Sequence, residues 1–116
     1  PSPGLESIGK GVKAKKPALL FFMADWCGYC RKMTPEVEGF RKDYGDQINV
    51  VQINIEADYR AGDLYLVNGV PVIVMLDANG SIFRRTGYPS GYKDFEKVFK
   101  EMGVKLTKKS SSGGGK

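Results

Sequence analysis

The chain holds two cysteines, Cys27 and Cys30, two residues apart and beside its single tryptophan in the run Trp26-Cys27-Gly28-Tyr29-Cys30. Three chemistries use such a pair: a stabilising cross-link, half of a metal site, or a reversible dithiol. A bridge across so short a loop hardly restricts the unfolded chain, and a domain of this length buries a core without staples. A closed zinc site needs further ligands, and the chain has no histidine and no third cysteine to supply them. The pair therefore reads as a dithiol that opens and closes, with no metal and no cofactor.

Thiolate, not thiol, attacks a disulfide, so one sulfur must be favoured in its charged form. The first turn of a helix does this through its unpaired N–H groups and its dipole. A strand followed at once by a helix places Cys27 there, with Cys30 one turn further in. Cys27 then attacks the substrate, and Cys30 resolves the mixed disulfide in an intramolecular step. Gly28 leaves room for a partner backbone, and Tyr29 tunes the couple by altering how the thiolate is hydrogen-bonded and desolvated. Arg31, Lys32 and Asp25 read as solvated charges before they read as catalytic groups.

The elements that must position this pair follow from periodicity. Ala18 to Met23 is a continuous apolar run, as in a strand buried on both faces. Met33, Val37, Phe40 and Tyr44 share one helical face from about Gly28 to Tyr44, with a kink expected at Pro35 and a C-cap at Gly45. Ile48 to Ile55 reads as a strand, Asp58 to Val67 as a short helix, and Pro71 to Leu76 as a third strand. Turn residues Asp77 to Gly80 lead into Ser81 to Thr86, a hairpin. Phe95, Val98, Phe99 and Met102 mark a closing helix with Ser90 as its N-cap. The two crossovers call for parallel neighbours, and the hairpin adds an antiparallel pair.

Residues 1–15, rich in Gly, Pro, Ser and Lys, read as a flexible or irregular arm, residues 16–103 as the domain, and residues 104–116 as a disordered Lys/Ser/Gly tail. The net charge of +5 sits in the flanks: four lysines and one glutamate in residues 1–17, four lysines in residues 105–116, and ten basic against twelve acidic groups between. That distribution speaks against both a nucleic-acid groove and an acidic-membrane partner, and the flanks read as solvated. No apolar run approaches the ~20 residues that span a bilayer, and no signal-peptide pattern begins the chain. Stable membrane insertion is not expected of this segment. The chain starts without Met, which leaves room for an upstream targeting or anchoring segment.

By these residues the chain resembles the thioredoxin superfamily. The resemblance rests on WCGYC at a strand-to-helix junction, Pro35 eight residues after Cys27, Gly69-Val70-Pro71 opening the third strand, and Gly87 after the last. It implies an α/β thioredoxin fold, a mixed central β-sheet flanked by helices on both faces, and a thiol-disulfide oxidoreductase. Cys27 is then the nucleophile, Cys30 the resolving thiol, and the Val70-Pro71 bond cis, which sets the Val70 backbone opposite the sulfurs to pair with a substrate strand. Trp26, Gly28, Tyr29, Val70 and Pro71 form the substrate-facing rim. The implied partners are protein disulfides and a dithiol electron donor, met by a monomer.

Departures from the family pattern matter as well. Thioredoxin carries a buried acid six residues before the first cysteine and a lysine near it; here Phe21 and Gln52 hold those places. Gly-Tyr between the cysteines resembles bacterial periplasmic disulfide isomerases. Met23-Ala24-Asp25-Trp26-Cys27 and the Leu76 to Gly80 hairpin look like thioredoxin-like domains of bacterial reductant relays outside the cytoplasm. We read a disulfide reductase or electron carrier in a periplasmic or other extracytoplasmic setting, with the cytoplasm as the alternative. A disulfide oxidase or isomerase, and a thioredoxin-fold binding or chaperone module, are the competing functions.

Overall fold

A computed structural model describes residues 1–109. In chain order the elements are α1 (Pro3–Lys13), β1 (Ala18–Met23), α2 (Gly28–Tyr44), β2 (Asn49–Asn54), α3 (Tyr59–Leu64), β3 (Val72–Leu76), β4 (Ile82–Thr86) and α4 (Tyr92–Glu101). The apolar run of β1 is an inner strand of a four-stranded mixed sheet ordered β2-β1-β3-β4. Alternate residues of β1 feed two cores, because successive side chains leave a strand on opposite faces. Leu19 and Phe21 join Met33, Val37 and Phe40 of α2 and Phe95 and Phe99 of α4 on one face. Leu20 and Phe22 join Ile8 of α1 and Ala61 of α3 on the other. The layers are helices on both faces of one sheet, the thioredoxin fold.

The second crossover differs from the expected parallel arrangement. β1 and β2 are parallel, but β3 is antiparallel to β1, as β4 is to β3. A six-residue helix α3 spans about 9 Å, whereas a six-residue strand spans about 20 Å. The helix alone does not carry the chain back along β2, and β3 starts level with the end where β2 stops.

The N-terminal segment is a correction: residues expected as an irregular arm form α1. Ser2 is its N-cap, with Oγ accepting the Leu5 N–H at 3.1 Å, and Pro3 occupies the first turn. Its glycines mark close approach rather than looseness, since a Cβ on Gly4 would lie 2.8 Å from Asp58 Oδ2 and one on Gly11 would lie 2.9 Å from Asn49 Cγ. At the other end, Val104 and Leu106, placed by sequence in the tail, pack against the core, and Thr107 N–H donates to Gln47 Oε1 at 2.8 Å. The tail from residue 110 lies outside the described residues.

The start of α4 also differs. Gly91, not Ser90, is the N-cap, and Asp94 accepts the Gly91 N–H while Glu36 of α2 accepts the Tyr92 N–H, each at 2.8 Å. A carboxylate brought by a neighbouring helix does the work assigned to the serine, whose buried Oγ has no partner among the described residues. Among those residues no helix is long and apolar enough to cross a membrane.

Candidate active site

β1 delivers the chain to Ala24, whose carbonyl accepts the Cys27 N–H at 3.2 Å in a tight turn. Cys27 is the N-cap of α2, and its Sγ accepts the Cys30 N–H at 3.1 Å. One of the donors that a helix start leaves unpaired is thus aimed at the sulfur. The two cysteines are joined in a disulfide with their Cα atoms 5.2 Å apart, so the structure holds the oxidised state. Cys27 is 5% exposed and Cys30 fully buried. Cys27 is the less buried of the two, but it is recessed rather than at the exposed edge expected.

Cys30 sits in the apolar cluster with Phe21, Met33, Val37 and Ile73. Phe21 occupies the place of the family's buried acid, and Gln52, its register partner on β2, is exposed. Asp25 points elsewhere: its carboxylate accepts from Asn54 Nδ2 at 3.3 Å, and its carbonyl accepts from Arg31 Nη1 at 2.7 Å. Lys32 Nζ stands 5.6 Å from the Tyr29 ring centroid. Both nearby cations are therefore engaged by groups other than the sulfurs.

The rim is aromatic and exposed. Trp26 and Tyr29 are 63% and 56% exposed, and Trp26 Nε1–H donates to Glu56 Oε2 at 2.7 Å. Glu56 is held in turn, because Asn54 Oδ1 accepts its backbone N–H at 2.9 Å. Gly28 has open space around it. The Val70-Pro71 bond is cis, as the resemblance implied, and Val70 packs against the cluster that contains both cysteines. Gly87 lets β4 exit close to this loop, since a Cβ there would meet the Pro71 carbonyl at 3.3 Å. Sequence reasoning missed Glu56, Asn54 and Tyr88. Tyr88 stacks on Tyr29 with ring centroids 4.5 Å apart, and the Tyr88-Pro89 bond is also cis. The one signal in sequence was an aromatic directly after Gly87.

The comparisons with known proteins agree with this geometry. A family model described as Thioredoxin matches residues 6–101. A thioredoxin-like protein of Synechocystis sp. is 32% identical over 87 residues, covering 75% of this chain and 80% of that protein. A thiol:disulfide interchange protein homologue from Synechocystis sp. is 34% identical over 68 residues, covering 57% of this chain and 38% of that protein. Among solved structures, a mutant thioredoxin from Halobacterium salinarum superposes with a TM-score of 0.72 at 20% identity, covering 84% of each chain. With a cysteine pair at the start of the helix after the first strand, a cis-proline loop beside it and this matching stretch, the chain belongs to the thioredoxin family of thiol-disulfide oxidoreductases.

Proposed function

We propose that this protein is a reductant: a dithiol electron carrier that opens disulfides in other proteins and is recharged by a dithiol donor. The observation that carries this reading is the sparse set of partners on Cys27. A strongly oxidising couple arises when the reduced form is heavily stabilised. Here one backbone N–H reaches the sulfur, while Arg31 and Lys32 serve Asp25 and Tyr29. Little beyond the helix start favours the reduced pair, which supports a couple at the reducing end.

In the reaction, Cys27 thiolate attacks one sulfur of the client disulfide, whose bond breaks as the leaving sulfur takes a proton. Cys30 then gives up its proton and attacks Cys27 Sγ, releasing the second client thiol. Two electrons pass to the client, and the Cys27–Cys30 disulfide is the product state. Trp26, Tyr29, Gly28 and the Val70-Pro71 segment line the approach of the client, whose extended backbone pairs beside the disulfide. The extracytoplasmic setting is part of this proposal; the run from Met23 to Cys27 and the Asp77 to Gly80 turn support it.

Equilibration with glutathione tests the direction. A potential near thioredoxin's about −270 mV is expected, and one near the about −120 mV of strong periplasmic oxidants would overturn it. Insulin-disulfide reduction is expected to vanish in Cys27→Ser; wild-type activity in that variant sinks the mechanism.

A further inference from the structure

The two lysine-rich flanks, at opposite ends of the chain, meet at one end of the fold. α1 carries Lys10 and Lys13 in its last turn, and Lys15 and Lys16 follow. This segment is tied to the start of β2, where Asn49 N–H donates to the Pro17 carbonyl at 2.9 Å and Asn49 Nδ2 to the Ser7 carbonyl at 2.9 Å. The C-terminal flank reaches the same place: Gln47 Nε2 donates to the Thr107 carbonyl at 2.7 Å. Lys105, Lys108 and Lys109 surround that contact in sequence. Asp46 lies between the two flanks: the Gln47 side chain, chiefly, holds its carboxyl below the ordinary range, with smaller contributions from a backbone hydrogen bond and from the charges of Lys109 and Lys16. Of the other acids at this end, Asp77 accepts the Asn79 and Ser81 N–H groups of its own turn, Glu101 pairs with Arg84 at 3.0 Å, Asp43 accepts from the Tyr92 hydroxyl and Glu96 from the Tyr44 hydroxyl.

Apolar surface lies at this end too. Ile82 pairs with Leu76, and Leu76 with Ala18, so the start of β4 stands level with the end of the N-terminal flank. Ile82 and Phe83 are exposed there, at 54% and 39%. The dithiol is remote. α2 separates the two ends with 17 residues, roughly 25 Å at about 1.5 Å per residue.

We propose that this basic end rests on the anionic headgroups of a lipid bilayer, with Ile82 and Phe83 at the headgroup boundary and the dithiol facing away from the surface. Clusters of about 4–8 lysines beside exposed apolar side chains suit the diffuse charge of a leaflet. Shaped protein interfaces, by contrast, are depleted in lysine.

Vesicle sedimentation of the full chain tests this. The protein is expected to bind vesicles containing phosphatidylserine, to release them at high salt, and to ignore vesicles of phosphatidylcholine alone. Each lysine near the surface contributes about a fivefold factor, so Lys10→Gln, Lys13→Gln and Lys105→Gln combined should weaken binding about a hundredfold. Trp26, the only tryptophan, lies at the far end and should keep its fluorescence when the lipids carry a bromine quencher. Equal binding to both vesicle types, salt-independent binding, or Trp26 quenching would each overturn the proposal. So would capture by polyglutamate without capture by phosphatidylserine vesicles, which would mean an acidic protein partner. Dithiol activity is assayed separately with insulin, so its loss does not bear on this result.

Discussion

Cys30 has no substitute at the site, because the chain holds no third thiol and apolar side chains enclose this one. Cys30→Ser is therefore expected to stall after the first attack and to accumulate the client as a mixed disulfide on Cys27, visible as an adduct by mass spectrometry. Turnover should fall by orders of magnitude, since an external thiol must replace one held at an effective concentration on the order of 10⁵ M or more. Absence of the adduct would mean that Cys27 is not the attacking sulfur. At this scale the site was legible in the sequence: spacing alone named Cys27 and Cys30, and the family resemblance named Trp26 and Pro71. Glu56 and Tyr88 were not legible. Each meets its partner only after the sheet has formed, Glu56 from beyond β2 and Tyr88 from beyond β4.

Among the elements, α1 shows how a helix hides in a composition that reads as linker. Four glycines and prolines in its first eleven positions masked an apolar stripe of Leu5, Ile8 and Val12 that packs against the sheet. The contact that fixes it is Asp58, which also caps α3: it accepts from Ser2 Oγ at 2.6 Å and from the Gly4 N–H at 2.8 Å. Desolvation works against its charge, but hydrogen bonds from Ser2, Gly4 and Ala61 outweigh it and hold the carboxyl below its ordinary value. Asp58→Ala should cost about 1–3 kcal/mol in urea unfolding at neutral pH. A depressed carboxyl stabilises above its unfolded value, near pH ~3.9, and the benefit disappears as pH falls through the lower folded value. The gap between wild type and variant should therefore narrow in acid; a gap constant with pH would show that the charge is not what holds α1.

For the whole molecule, the order of elements and the central place of β1 followed from periodicity, whereas the direction of β3 did not. That direction depends on which end of the sheet the stretch after β2 delivers the chain to, and apolar periodicity does not encode it. Nor was the link between α2 and α4 visible in sequence: Tyr92 donates to Asp43, Tyr44 to Glu96, and Phe40 stacks on Phe99 with centroids 5.7 Å apart. Desolvation, then the bond to Asp43, pushes the Tyr92 phenol above its ordinary value, and burial does the same for Tyr44. A raised phenol stabilises fully below its unfolded value, about pH 10, and the contribution is lost as pH climbs from there towards the folded value. Tyr92→Phe should cost about 1 kcal/mol at neutral pH and lose less stability above pH ~10 than wild type does, as measured by urea midpoints. Parallel alkaline profiles for the two proteins would refute this. The Ser2–Asp58 bond also has a practical consequence. Because Asp58 follows the same turn that supplies Glu56 to Trp26, a reporter or affinity handle fused ahead of Pro1 would crowd incoming clients. A fluorophore or a surface tether appended after residue 109 would leave their path open.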